Sequence, residues 1–176
     1  MQIAGRTIFI TGGGGGIGAG IAQAFAEQGG RIILADIDAG FAEAEAAKLP
    51  AGTDAMALSL DVTRRDSWAQ AKAAAEARFG PVDILCNNAG IASGFVPLID
   101  MDPADFDRLV AVNLTGVYNG IACFARAMVE RGAGHIVNTS SMNGLNPFGL
   151  FAAYSASKFG VLGLSDSLRQ DLAPHG

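Results

Sequence analysis

Sulfur, imidazole and positive charge are all scarce in this chain. Its 176 residues hold two cysteines and two histidines, with no Cys-x-x-Cys or His-Glu-x-x-His spacing among them, so neither a disulfide framework nor a dedicated metal site is expected. Cys86 and Cys123 each sit inside an apolar segment, the setting of a small buried hydrophobe rather than of a cross-link. Twelve Lys and Arg against 17 Asp and Glu leave a net charge of −5, a field that repels polyanions and argues against DNA or RNA as the main partner. No uninterrupted apolar run approaches the roughly 18 residues of a membrane span. The apolar run after Arg6 is too short for a secretory signal and lacks a small-residue cleavage site. These absences lead to the expectation of a soluble, cytoplasmic protein with no membrane partner.

What is abundant is apolar surface and glycine. Half the residues are hydrophobic, and a single domain of this length buries roughly 70% of its unfolded surface. Glycine occurs 24 times, about twice the usual share, so the backbone must turn sharply or approach something closely at many points. Short apolar runs at Thr7–Thr11, Arg31–Ala35, Ala55–Leu60, Val82–Cys86 and His135–Thr139 have the pattern of strands covered on both faces in a parallel sheet. Helical stripes lie between them: Ile17, Ile21 and Phe25; Phe106, Val110, Val117, Ile121, Phe124 and Met128; and Val161, Leu164, Leu168 and Leu172. Asp102 followed by Pro103 marks a helix start. Strand alternating with helix predicts one α/β domain with a doubly wound parallel sheet, the Rossmann fold.

The run Gly12–Gly16 would read as a flexible linker by composition alone. Its position says otherwise, because it directly follows the strand TIFIT and directly precedes the helix IGAGIAQAFAEQG. That is where a dinucleotide fold brings pyrophosphate against bare amides and a helix N-terminus. Two registers fit, Gly13-x-Gly15-x-x-Gly18 or Thr11-Gly12-x-x-x-Gly16-x-Gly18. No Gly-Lys-Ser/Thr follows, so a P-loop is excluded. Asp36 ends the second strand 20 residues beyond Gly16, where a carboxylate can accept from ribose hydroxyls and would repel a 2′-phosphate. With no Arg or Lys in the loop or directly after Asp36, the expected cofactor is NAD, with NADP the weaker alternative.

A second constellation lies near the end of the chain. Tyr154 and Lys158 are four apart in a helical pattern and share a face, so the ammonium favours the phenolate and makes Tyr154 a usable proton donor near neutral pH. Ser140 and Ser141 follow the strand HIVNT, at the carboxyl edge where open α/β sheets bind ligands, and a hydroxyl there could donate to a developing oxyanion. Asn113 interrupts a long helical stripe where Asn is a poor helix former; it either faces solvent or has a polar task.

Together Thr11-Gly12-x-x-x-Gly16-Ile17-Gly18, Asn87-Asn88-Ala89-Gly90, Asn113, Ser141 lying 13 positions before Tyr154, and Tyr154-x-x-x-Lys158 resemble the short-chain dehydrogenase/reductase family over almost the whole chain. The resemblance implies Tyr154 as general acid/base, Lys158 binding the nicotinamide ribose and assisting the tyrosine, Ser141 polarising a carbonyl, and Asn113 holding a water in a proton relay. It also implies that Asp61 and Val62 contact adenine, and that Asn88, Ala89 and Gly90 line the cofactor cleft. The reaction implied is reversible hydride transfer between NAD(H) and an alcohol or ketone, by a homodimer or homotetramer.

Segments 91–99 and 142–153 follow strand ends and carry Phe95, Leu145, Phe148, Leu150 and Phe151. They form either an apolar wall for an apolar or cyclic alcohol or ketone, or ordinary core. Members of that family run longer and carry further strands, so the sequence is expected to be C-terminally incomplete. A non-catalytic nucleotide-binding fragment is the alternative that this departure raises.

Overall fold

The computed structural model describes residues 2–92 and 94–175. Five parallel strands form one sheet: β1 (Thr7–Thr11), β2 (Arg31–Asp36), β3 (Ala55–Ser59), β4 (Ile84–Asn87) and β5 (His135–Asn138). Their order, β3-β2-β1-β4-β5, is the doubly wound arrangement. The chain winds outward from β1 to β3, then crosses back to lay β4 beside β1, and ligands bind where the winding reverses.

Helices α1 (Gly16–Ala26), α2 (Ala39–Ala46), α3 (Arg65–Phe79), α4 (Pro103–Val110), α5 (Gly116–Glu130) and α6 (Ala152–Leu172) cover the sheet. Alternation along each strand separates two cores. Phe9, Ile33 and Leu85 face Trp68, Phe79, Phe124 and Met128 on one side. Ile8, Ile10, Ile32, Leu34, Ile84 and Cys86 face Ala22, Ala26 and Ala42 on the other. The first core holds an aromatic trio, with Phe9 and Phe124 centroids 5.3 Å apart and Phe9 and Trp68 6.0 Å apart. The second is built against small residues, which bring α1 close to the sheet.

Three periodicity readings need correction. The buried face of α1 is Gly18, Ala22 and Ala26, whereas Ile17 stands exposed and Ile21 and Phe25 only flank the core. On the long helix, Phe106 is exposed and Leu109 takes the buried position, because residues Ala111–Thr115 form a wide π turn between α4 and α5 that changes the phase of the stripe. β5 alternates exposed and half-buried residues, so it is not covered on both faces as its apolar run suggested. Among the described residues no helix is long and apolar enough to cross a membrane.

Candidate active site

The carboxyl ends of β1 and β4 are stitched together by one hydroxyl. Thr11 Oγ1 accepts from the amides of Asn88 (2.9 Å) and Ala89 (3.0 Å) and donates to the Cys86 carbonyl (3.4 Å). Asn88 Nδ2 returns a bond to the Thr11 carbonyl (3.1 Å), while Asn88 Oδ1 accepts from Thr139 Oγ1 at the end of β5 (3.4 Å). The Asn87–Gly90 turn is thus pinned to both neighbouring strands. Cys86 is buried there with its thiol pushed up to about 12 by desolvation, an inert packing group.

The glycine run is shaped by close approach. A Cβ on Gly18 would overlap the Gly12 carbonyl oxygen, and one on Gly12, which sits at φ +64°, would stand 2.9 Å from Ala89 Cα. Only hydrogen fits at either point. Around Gly15 and Gly16 nothing lies within 4 Å of such an atom, so the start of α1 faces open space with its amide N–H groups directed outward, a cradle for an anionic pyrophosphate. No acidic residue occupies the first turn of α1 to compete.

Asp36 stands beside this cradle. Its Oδ2 accepts from the Gly14 amide (2.9 Å) and its Oδ1 from the Asp38 amide (3.3 Å), which fixes the carboxylate while leaving further lone pairs. Gly12, Asp36, Asp61, Val62, Ala89 and Gly90 line one cleft of about 240 Å³. Asp61 Oδ1 is held by the Thr63 amide (2.9 Å) and hydroxyl (2.7 Å). The Val62 carbonyl accepts from Trp68 Nε1 (2.9 Å) and Asn119 Nδ2 (3.0 Å). Six of the residues expected to hold a dinucleotide therefore share a wall.

On α6, Lys158 is buried and its Nζ donates to the Thr139 carbonyl (2.9 Å). Desolvation lowers its pKa from the usual lysine value. The same ammonium lies 5.7 Å from the centroid of the Tyr154 ring, within cation–π range. Asn113 is fully buried, which removes the solvent-facing alternative. Its Oδ1 accepts from the Ile91 amide (2.8 Å), and its Nδ2 donates to the Ile91 carbonyl (2.9 Å) and to Ser157 Oγ (3.3 Å). Ser157 Oγ in turn donates to the Tyr154 carbonyl (2.7 Å). A Cβ on Gly90 would meet Asn113 Oδ1 at 3.3 Å and Lys158 Nζ at 3.6 Å, so the pinned turn, the π turn and the tyrosine helix converge.

The two serines separate by their bonds. Ser140 Oγ donates to the Lys158 carbonyl (2.9 Å), which commits its proton. Ser141 Oγ accepts from the Asn143 amide (3.2 Å), which leaves its O–H free to donate elsewhere. Phe95, Leu145, Phe148 and Leu150 are exposed rather than core. Phe95 packs edge-on against Phe151 at 4.7 Å, and Phe151 lies 6.5 Å from Tyr154, so an apolar rim adjoins the phenol. Ser93 of the first rim segment lies outside the described residues. Thr139 and Ser157 were not found from the sequence, because Thr139 holds the ammonium through its carbonyl and Ser157 occupies an ordinary helical position.

Known proteins resemble this chain over most of its length. Residues 6–176 match the family model described as short chain dehydrogenase. The chain is 40% identical to 2-(S)-hydroxypropyl-CoM dehydrogenase 3 of Xanthobacter autotrophicus over 97% of its own length and 67% of that protein's. It is 37% identical to C alpha-dehydrogenase of a Sphingobium species, covering 97% of this chain and 57% of the relative. A crystal structure of a metagenomic short-chain oxidoreductase in complex with NADP superposes with a TM-score of 0.93 at 37% identity, over 99% of this chain and 80% of that one. The chain thus spans between about half and four fifths of the length of these proteins.

Proposed function

The chain belongs to the short-chain dehydrogenase family, and from that premise we propose that it serves in reversible hydride transfer between NAD(H) and the CH–OH or C=O group of an apolar or cyclic alcohol or ketone. One observation carries the reading: the buried Lys158 ammonium held against the Tyr154 ring on one helix face, with Asn113 and Gly90 packed behind it. Few structural needs other than proton transfer account for a buried cation beside a half-buried phenol.

The residues divide the work. When bound, the nicotinamide supplies the hydride acceptor or donor. Gly12, Gly16, Ile17 and Gly18 hold the diphosphate against bare amides, Asp61 and Val62 flank the adenine, and Asn88, Ala89 and Gly90 form the floor of the cleft. Asp36 accepts from the adenosine ribose hydroxyls and disfavours a 2′-phosphate; the NADP complex of the metagenomic relative is the competing precedent. Ser141 donates its free O–H to the substrate oxygen, Tyr154 gives or takes the proton at that oxygen, and Lys158 steadies the phenolate. Asn113 acts by fixing Ile91 and Ser157 around the tyrosine turn. The apolar rim favours uncharged substrates.

Tyr154→Phe tests the assignment. It removes one hydroxyl and keeps the ring, so turnover falls by about 10²–10⁴-fold while NADH binding is unchanged. Equal turnover in the variant contradicts the role.

A further inference from the structure

The opposite end of the sheet carries charge that hydride transfer does not use. Arg6 directly precedes β1, Arg31 opens β2, Asp83 directly precedes β4, and Arg131 follows α5. Arg31 pairs in register with Thr7, and β2, β1 and β4 are adjacent. With neighbouring strands about 4.8 Å apart, these side chains open into one groove of about 410 Å³.

Within this groove the bonding is uneven. Asp83 is its only carboxylate, and both oxygens are engaged: Oδ1 accepts from Arg6 Nη1 (3.2 Å) and Oδ2 from the Thr7 amide (2.8 Å). Arg131 Nη2 donates to the Val82 carbonyl (2.6 Å), next to Asp83, so its remaining donors stay available. Neither Arg31 nor Arg131 has a carboxylate partner among the described residues. Arg31 Nε is buried with no acceptor among them either. Three guanidinium groups against one carboxylate leave a local surplus of two positive charges, in a chain whose net charge is −5.

We propose that this groove binds a phosphoryl dianion, at the end of the sheet opposite the dinucleotide cleft. Two surplus charges match a dianion, and the guanidinium fork fits tetrahedral oxyanions through paired N–H donors.

Isothermal titration of the whole chain with inorganic phosphate tests this, at constant ionic strength and a pH where phosphate is dianionic, with AMP titrated in parallel. The expected result is one saturable phosphate site that weakens at least tenfold in Arg31→Gln. Asp83→Asn keeps an oxygen for the Thr7 amide but removes the groove's only negative charge, so it tightens the site several-fold, a gain that misfolding cannot produce. An AMP site weakened equally by Arg31→Gln identifies phosphate monoesters as occupants; an AMP site untouched by it, beside a weakened phosphate site, identifies free phosphate. The proposal is overturned by no phosphate binding, by phosphate binding that survives Arg31→Gln, or by Asp83→Asn weakening it.

Discussion

Lys158 carries the largest electrostatic tension among the proposed catalytic side chains. Burial opposes its charge, and one main-chain carbonyl offsets that only in part. Because its folded pKa lies below the unfolded one, between those two values the unfolded chain holds a proton that the native chain has released. Stability contributed at this position therefore rises with pH across the alkaline range approaching the usual lysine value. Lys158→Met flattens that rise, as read from urea unfolding at a series of pH values, and parallel curves for the two proteins contradict it. At this scale the sequence was legible where spacing encodes contact. Tyr154 and Lys158 share a face because four residues make about one turn. It was illegible where the partner is backbone: nothing in the residue types tells that Asn113 clamps Ile91, or that Thr139 holds the ammonium by its carbonyl.

Among the elements, the first β-strand, the glycine loop and α1 pack closely on one another at Gly12 and Gly18. The loop reads as a linker by composition, yet close contact with Ala89 and with its own Gly12–Gly18 crossing leaves it little freedom. Gly18→Ala forces a methyl group into the Gly12 carbonyl and costs about 1–3 kcal/mol by overpacking. It also lifts α1 from the turn, so dinucleotide affinity drops with stability. Thermal unfolding alongside a cofactor titration checks both, and a variant as stable and as tightly binding as the parent contradicts this geometry. β1, β2 and β4 were readable because continuous apolar runs match strands covered on both sides, a reading that fails for the partly exposed β5. Helix faces were less so: α1 packs through Gly18, Ala22 and Ala26, too small to stand out in a hydrophobic stripe, and the π turn at Ala111–Thr115 breaks the period on which a stripe depends.

For the whole molecule, the winding order decides where chemistry can occur. The reversal between β1 and β4 brings Thr11, Asn88 and Gly90 together from distant parts of the chain, and α6 closes over them with Tyr154 and Lys158. The outward faces of the long helix and α6 expose Phe106, Tyr118 and Phe159. We read these as contact surface for a second copy, a homodimer or homotetramer, so sedimentation at micromolar concentration yields a species larger than the monomer; a single monomeric boundary contradicts it. The alternation of strand and helix announced this architecture, but no pattern in the residues announced how the exposed rim of Phe95, Phe148 and Leu150 would be arranged, because loop shape follows from tertiary contacts that have no period.

In the proposed dinucleotide cleft, Asp36 sets the choice of cofactor. Parallel fluorescence titrations with NADH and NADPH test it most directly. Saturable binding of NADH is expected, with NADPH about tenfold weaker because its 2′-phosphate meets the carboxylate. Equal or tighter binding of NADPH would contradict the role of Asp36, and binding of neither would contradict the cleft itself.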